Sequence, residues 1–145
     1  MSTRVQIDFP DTPLFTTEFL IGSNQVNRGD HVGNNHFVEL CGEIALRYFH
    51  QRGLQGFDVL GQQLINGELS LKLLGEGRCF DTLNGEFAVA NFHRYGCDFL
   101  YRIRRGEQVI ALGRFAMLTF DYQQGKLVEA SDGFAAFFVE AESLN

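Results

Sequence analysis

Hydrophobic positions in this chain repeat with two different periods, and the change of period divides it. Phe37, Leu40, Cys41, Ile44, Ala45, Tyr48 and Phe49 recur at helical spacing and form one broad apolar stripe. Asn34 or Asn35 is the expected N-cap and Gly53 the expected stop, so the spacing predicts a helix over 35–52. Before it, residues 14–21 (LFTTEFLI) are rich in β-branched and aromatic side chains and lie between Pro13 and Gly22, which reads as a strand. After it the period falls to two. Residues 68–73 place Leu69, Leu71 and Leu73 on one face, and residues 86–92 set Phe87 and Val89 opposite Ala88 and Ala90. Residues 98–104 put Phe99, Tyr101 and Ile103 on one side, and residues 109–122 form a long, mostly apolar strand. Gly106 and Gly125 sit in short polar connections (RRGEQ and YQQGK) of the hairpin kind. The helix is apolar over too wide an arc for an open surface. The prediction is therefore α+β, an antiparallel sheet wrapped around one long central helix.

Length and charge narrow the function. At 145 residues the expectation is a single domain over 1–145 with a core that needs neither metal nor disulfide. The net charge is −6, and no basic run exceeds Arg104-Arg105, which argues against a nucleic-acid partner. Fifteen phenylalanines and no tryptophan point to a core or interface rich in aromatic rings. Cys41, Cys79 and Cys97 are odd in number and lack CxxC spacing, so reduced thiols are expected rather than a disulfide framework or zinc site. The first nine residues do not read as a signal peptide and no apolar run reaches membrane-span length. A soluble, cytoplasmic protein without a membrane partner is the expectation.

The chemistry concentrates in Asn27-Arg-Gly-Asp30-His31-Val-Gly33-Asn34-Asn35, a polar loop that runs directly into the helix. Such a junction aims unpaired backbone N–H groups and the positive helix end at whatever occupies the loop. The amides from about Asn35 to Val38 are expected to receive a carbonyl oxygen that gains charge. His31 is either a general base or orienting group, or a loop histidine that fixes the turn. Asp30, the only acid of the loop, either accepts a proton or caps the turn. Glu43 aligns with Glu39 and Arg47 at i, i+4 spacing, the pattern of a solvated ion-pair face. Arg78, Arg94, Arg102, Arg104 and Arg114 are scattered and read mostly as solvent-facing.

Several of these segments together resemble a known family. Asn27-x-x-x-His31-Val32-Gly33-Asn34-Asn35, Glu43-Ile-Ala45 and Arg52-Gly53-Leu54 resemble the loop and helix of the hotdog-fold acyl-CoA thioesterases, within the 4-hydroxybenzoyl-CoA thioesterase-like group. Phe80-Asp81-Thr82-Leu83 resembles that family's Gly-Asp-Thr-Leu turn, and Phe120-Asp121-Tyr122-x-x-Gly125-Lys126 its Phe-Asp-x-x-x-Gly-Lys hairpin. The resemblance implies hydrolysis of an acyl-CoA or acyl-carrier-protein thioester, no cofactor, no metal, and a homodimer or homotetramer. It implies catalytic roles for Asn27, Asp30, His31 and Glu43, with Asn34, Asn35 and Phe37 contacting substrate. Many members carry Asp where this chain has Asn27, and an amide can orient a water but cannot deprotonate it. The departure keeps two alternatives open: a non-catalytic acyl- or CoA-binding hotdog protein, and a hotdog-fold dehydratase or hydratase.

Overall fold

The computed structural model describes residues 4–143, with side chains up to Phe138. The chain runs β1 (Phe15–Leu20), α1 (Asn34–Gln51), β2 (Asp58–Val59), β3 (Gln62–Leu73), β4 (Thr82–His93), β5 (Gly96–Arg105), β6 (Gln108–Asp121), β7 (Lys126–Leu127) and α2 (Phe134–Ser143). The strands form one antiparallel sheet in the order β1-β4-β5-β6-β3-β2, with β7 added to the end of β6. The sheet curls around α1, whose entire predicted stripe from Phe37 to Phe49 is buried. This is the antiparallel sheet around one central helix that the two periods predict, and it agrees with the hotdog fold that the resemblance implies.

Close approach of α1 to the sheet depends on Gly85 of β4. A Cβ there would lie 2.6 Å from Ile44 Cδ1, so only a bare backbone lets the helix seat. At the far end Gly53 takes a positive φ of 77° and its N–H donates to His50 O, the expected helix stop. A bulge between Asn66 and Glu68 changes the parity of β3. It leaves Leu69, Leu71 and Leu73 opposite Phe115, Gly113 and Ala111, on the same inner face as Leu64.

The helix α2 was not foreseen. Its FAAFFV run is too short and too uniformly apolar to show a period, and it follows Gly133 at a positive φ. Phe134, Phe137 and Phe138 pack under the C-terminal end of α1, against Tyr48, Phe49 and Phe99. Arg52 ties the helices together, its guanidinium 3.7 Å from the Phe137 ring centre while donating to Phe137 O and to Tyr48 Oη. Nine of the fifteen phenylalanines are buried, so much of the surplus serves the core of this chain.

Arg102 and Arg104 correct the reading of scattered solvent-facing arginines. Both clamp Glu86, which is 7% exposed: Arg102 is bidentate at 2.6 and 3.0 Å and Arg104 Nε donates at 2.8 Å. The Arg102 guanidinium, then Arg104, holds the Glu86 carboxyl below its ordinary value of 4.5 against the opposing effect of burial. A depressed folded pKa means that this stabilisation is present above the ordinary Glu range and is lost as pH falls through the folded value. Glu86→Gln is accordingly expected to lower unfolding free energy at neutral pH by about 2 kcal/mol, because two half-buried guanidinium groups lose their counter-charge. Urea midpoints should show the gap between variant and wild type closing in acid.

Candidate active site

Two connections meet at the N-terminus of α1. The β1–α1 loop is zipped to the β3–β4 turn by Val32 N–H donating to Gly77 O at 2.8 Å and by a bridge between His31 and Arg78. The same turn is held to the end of β1, since Ile21 N–H donates to Asp81 O and Phe80 N–H to Ile21 O. Asp81 closes it internally by accepting from Arg78 N–H at 2.9 Å. Both segments are therefore fixed by backbone hydrogen bonds.

Asn27 acts first as a turn former. Its Oδ1 accepts from Gly29 N–H at 3.0 Å and His31 N–H at 3.3 Å, and its backbone accepts from Asp30 N–H. With Oδ1 engaged, only its amide NH₂ is left to contact a water or ligand. Asp30 sits in the left-handed region at φ 62°, exposed, with no side-chain partner among the described residues. The turn-capping carboxylate expected there is replaced by the Asn27 amide.

His31 lies between two segments. A Cβ on Gly29 would be 2.9 Å from His31 Cδ2, so the ring occupies the space a side chain at 29 would fill. Its Nδ1 is shielded from solvent and faces Glu76 Oε2 at 3.1 Å, off the line of an aligned hydrogen bond. The same oxygen accepts from Arg78 Nη2 at 3.2 Å. Glu76 carried no local signal in the sequence, because the pairing joins residues 45 positions apart through the bridge between the loops.

The helix start differs from expectation by one residue. Gly33, extended at φ −71° and ψ 158°, is the N-cap, and Asn34 and Asn35 are the first helical residues with no side-chain cap bond. His36 and Phe37 N–H both donate to Gly33 O, so those two amides are already used. The amides free of protein acceptors among the described residues are those of Asn34 and Asn35, so the free stretch begins one residue before the predicted Asn35–Val38 run and ends within it. Phe37 is buried at 2% exposure, in the core beneath this helix end.

Glu43 stands apart from the loop within this chain. It accepts from Arg47 Nε at 3.0 Å, and Arg47 reaches on to Thr17 Oγ1 and Glu18 O, both at 2.8 Å, over the Phe19 ring. Glu43 lines a surface cleft of about 350 Å³ between β1 and α1 with Phe19, Leu20, Gln25, Glu39 and Leu40. No hydrogen bond or ion pair among the described residues joins it to Asn27, Asp30 or His31. The cysteines are free; burial pushes the Cys41 thiol up to about 12 and raises Cys97 as well, so neither is a ready nucleophile. Among the described residues no helix is long and apolar enough to cross a membrane, and no group of three or more His, Cys, Asp or Glu could hold a metal.

A curled antiparallel sheet around one helix, with a polar loop entering the helix N-terminus, is the hotdog architecture. The profile of the thioesterase-like superfamily matches residues 21–138. The chain belongs to that superfamily, and the enzyme class read from the sequence, a thioesterase, stands. No curated protein matches it in sequence. Solved structures share the fold at low identity. A 1,4-dihydroxy-2-naphthoyl-CoA thioesterase from Synechocystis superposes with a TM-score of 0.76 at 15% identity, covering 87% of this chain and 96% of its own. A thioesterase superfamily protein from Jannaschia gives 0.76 at 13%, covering 92% and 86%. A protein of Staphylococcus aureus in complex with CoA gives 0.76 at 9%, covering 95% and 89%.

Proposed function

We propose that this protein hydrolyses the thioester of an acyl-CoA or acyl-carrier protein by direct attack of water. The observation that carries the reading is the pair of free amides, Asn34 and Asn35, at the start of an 18-residue helix whose entry loop carries His31. The thioester oxygen lies at these amides, where the helix dipole and two N–H donors stabilise the negative charge of the tetrahedral intermediate. The Asn27 amide and His31 orient a water. As its oxygen bonds to the carbonyl carbon, its proton passes to His31, and the same proton neutralises the thiolate when the C–S bond breaks. The net change is thioester plus water giving acid plus thiol. The Staphylococcus aureus neighbour held with CoA supports a CoA thioester as the substrate.

Free-thiol release over a panel of acyl-CoAs tests this reading. Wild type is expected to turn over at least one, and Asn27→Asp to retain or raise the rate, since a carboxylate at 27 adds a base at the same place. Absence of turnover by both, with CoA still bound, would favour the non-catalytic acyl-binding alternative.

The proposal includes a second copy of the chain. Beyond Leu64 the outer edge of β3 carries no strand among the described residues, and Leu69 and Leu73 on its inner face remain 53% and 42% exposed. An open edge with an apolar inner face is a template for antiparallel pairing with its symmetry mate. Light scattering should give a dimer or tetramer for wild type, and Leu69→Asp should shift it to the 16.4 kDa monomer.

A further inference from the structure

We infer that Glu76 is a positioning residue for hydrolysis, holding the proton of the neutral His31 imidazole on Nδ1 so that Nε2 is the basic nitrogen. The inference rests on the thioesterase reading above and names the carboxylate that serves its site. Four acids are candidates, and the contacts separate them. Position 27 is an amide whose oxygen is occupied by two backbone donors. Asp30 is exposed without a partner among the described residues. Glu43 is committed to Arg47 one turn further along α1. Asp81 accepts from the backbone of Arg78 and faces Arg105.

Glu76 alone is held against the imidazole. Its Oε2 is 3.1 Å from Nδ1, and that nitrogen is shielded from solvent. Arg78 Nη2, 3.2 Å from the same oxygen, fixes the carboxylate from the other side. The spacing is set by the backbone, because the Val32–Gly77 hydrogen bond and the His31–Arg78 bridge lock the two segments in register. Gly29 leaves room for the ring on its opposite side. A histidine whose Nδ1–H faces a carboxylate keeps one tautomer, and its Nε2 lone pair is then available to take a proton from water. A short rotation of the half-exposed Glu76 side chain would align the contact. The charged groups around the ring are Glu76 and Arg78 from the β3–β4 turn and the adjacent Asp30.

The test combines ring ¹⁵N spectra with kinetics. Long-range ¹H–¹⁵N correlation of the full-length protein, with His31 signals identified by their loss in His31→Asn, should show the Nδ1–H tautomer in wild type. In Glu76→Gln it should move to Nε2–H, while kcat falls about tenfold and KM stays within about twofold. A purely structural role would not move the tautomer. The inference is overturned if wild-type His31 carries Nε2–H, if Glu76→Gln leaves the tautomer unchanged, or if kcat is unaffected while His31→Asn is impaired. A tautomer switch without turnover of any acyl-CoA would instead overturn the thioesterase reading, and Glu76's role in hydrolysis with it.

Discussion

His31→Ala should reduce kcat/KM for an acyl-CoA by about 10²-fold or more, the usual cost of removing a positioned general base. Its KM should change little, because the imidazole acts on the attacking water and the helix amides remain. The loss is expected without unfolding. The His31 side chain is 33% exposed, and its backbone hydrogen bonds with Asn27 do not involve the ring. Steady-state kinetics beside a thermal melt separate the two effects. A variant that melts normally and hydrolyses at the wild-type rate would remove His31 from the chemistry.

Phe49→Ala should be the most damaging single change to stability. Phe49 is fully buried and its ring lies 5.4–6.4 Å, centre to centre, from Tyr48, Phe57, Phe99, Phe137 and Phe138. Removing it vacates the point where α1, α2 and the sheet meet, in an interior whose neighbours are rings and relax poorly into the void. Large-to-small changes of this kind cost about 3–5 kcal/mol, which for a chain of this size lowers Tm by about 10–15 °C. Scanning calorimetry measures it directly. A drop of only a few degrees would mean that α2 docks without depending on this ring.

The sheet wrapped around one helix was legible because it rests on local pattern. The α1 stripe and the strands β4 and β5 follow from spacing, and β1, β6 and the stop at Gly53 from residue type and bounding residues, all within windows of 10–20 residues. The inner face of β3 was legible over residues 68–73, but the bulge at Asn66/Glu68 that turns Leu64 to the same side leaves no periodic signature. Gly33 took the cap position from Asn34 and Asn35, because the extended backbone there supplies the first helical carbonyl without a side-chain acceptor. The loop at Asn27 to His31 was legible as a place for chemistry, since its residue types and its run into a helix are both local. Glu76 was not, because its relation to His31 arises from pairing between two connections that only the folded sheet brings together. The clamp of Arg102 and Arg104 on Glu86 was missed for the same reason: cross-strand neighbours 16 and 18 positions apart have no sequence signal of their own.

Single-turnover hydrolysis of an acyl-CoA by excess protein in ¹⁸O-labelled water tests the central claim most directly. Asn27 offers no carboxylate to form an acyl anhydride; the helix amides hold the thioester oxygen while His31 acts on the water. The account therefore predicts release of free CoA thiol, with one ¹⁸O in the product acid from the first turnover. Failure to release thiol, or an unlabelled acid with the label left in the protein, would contradict it.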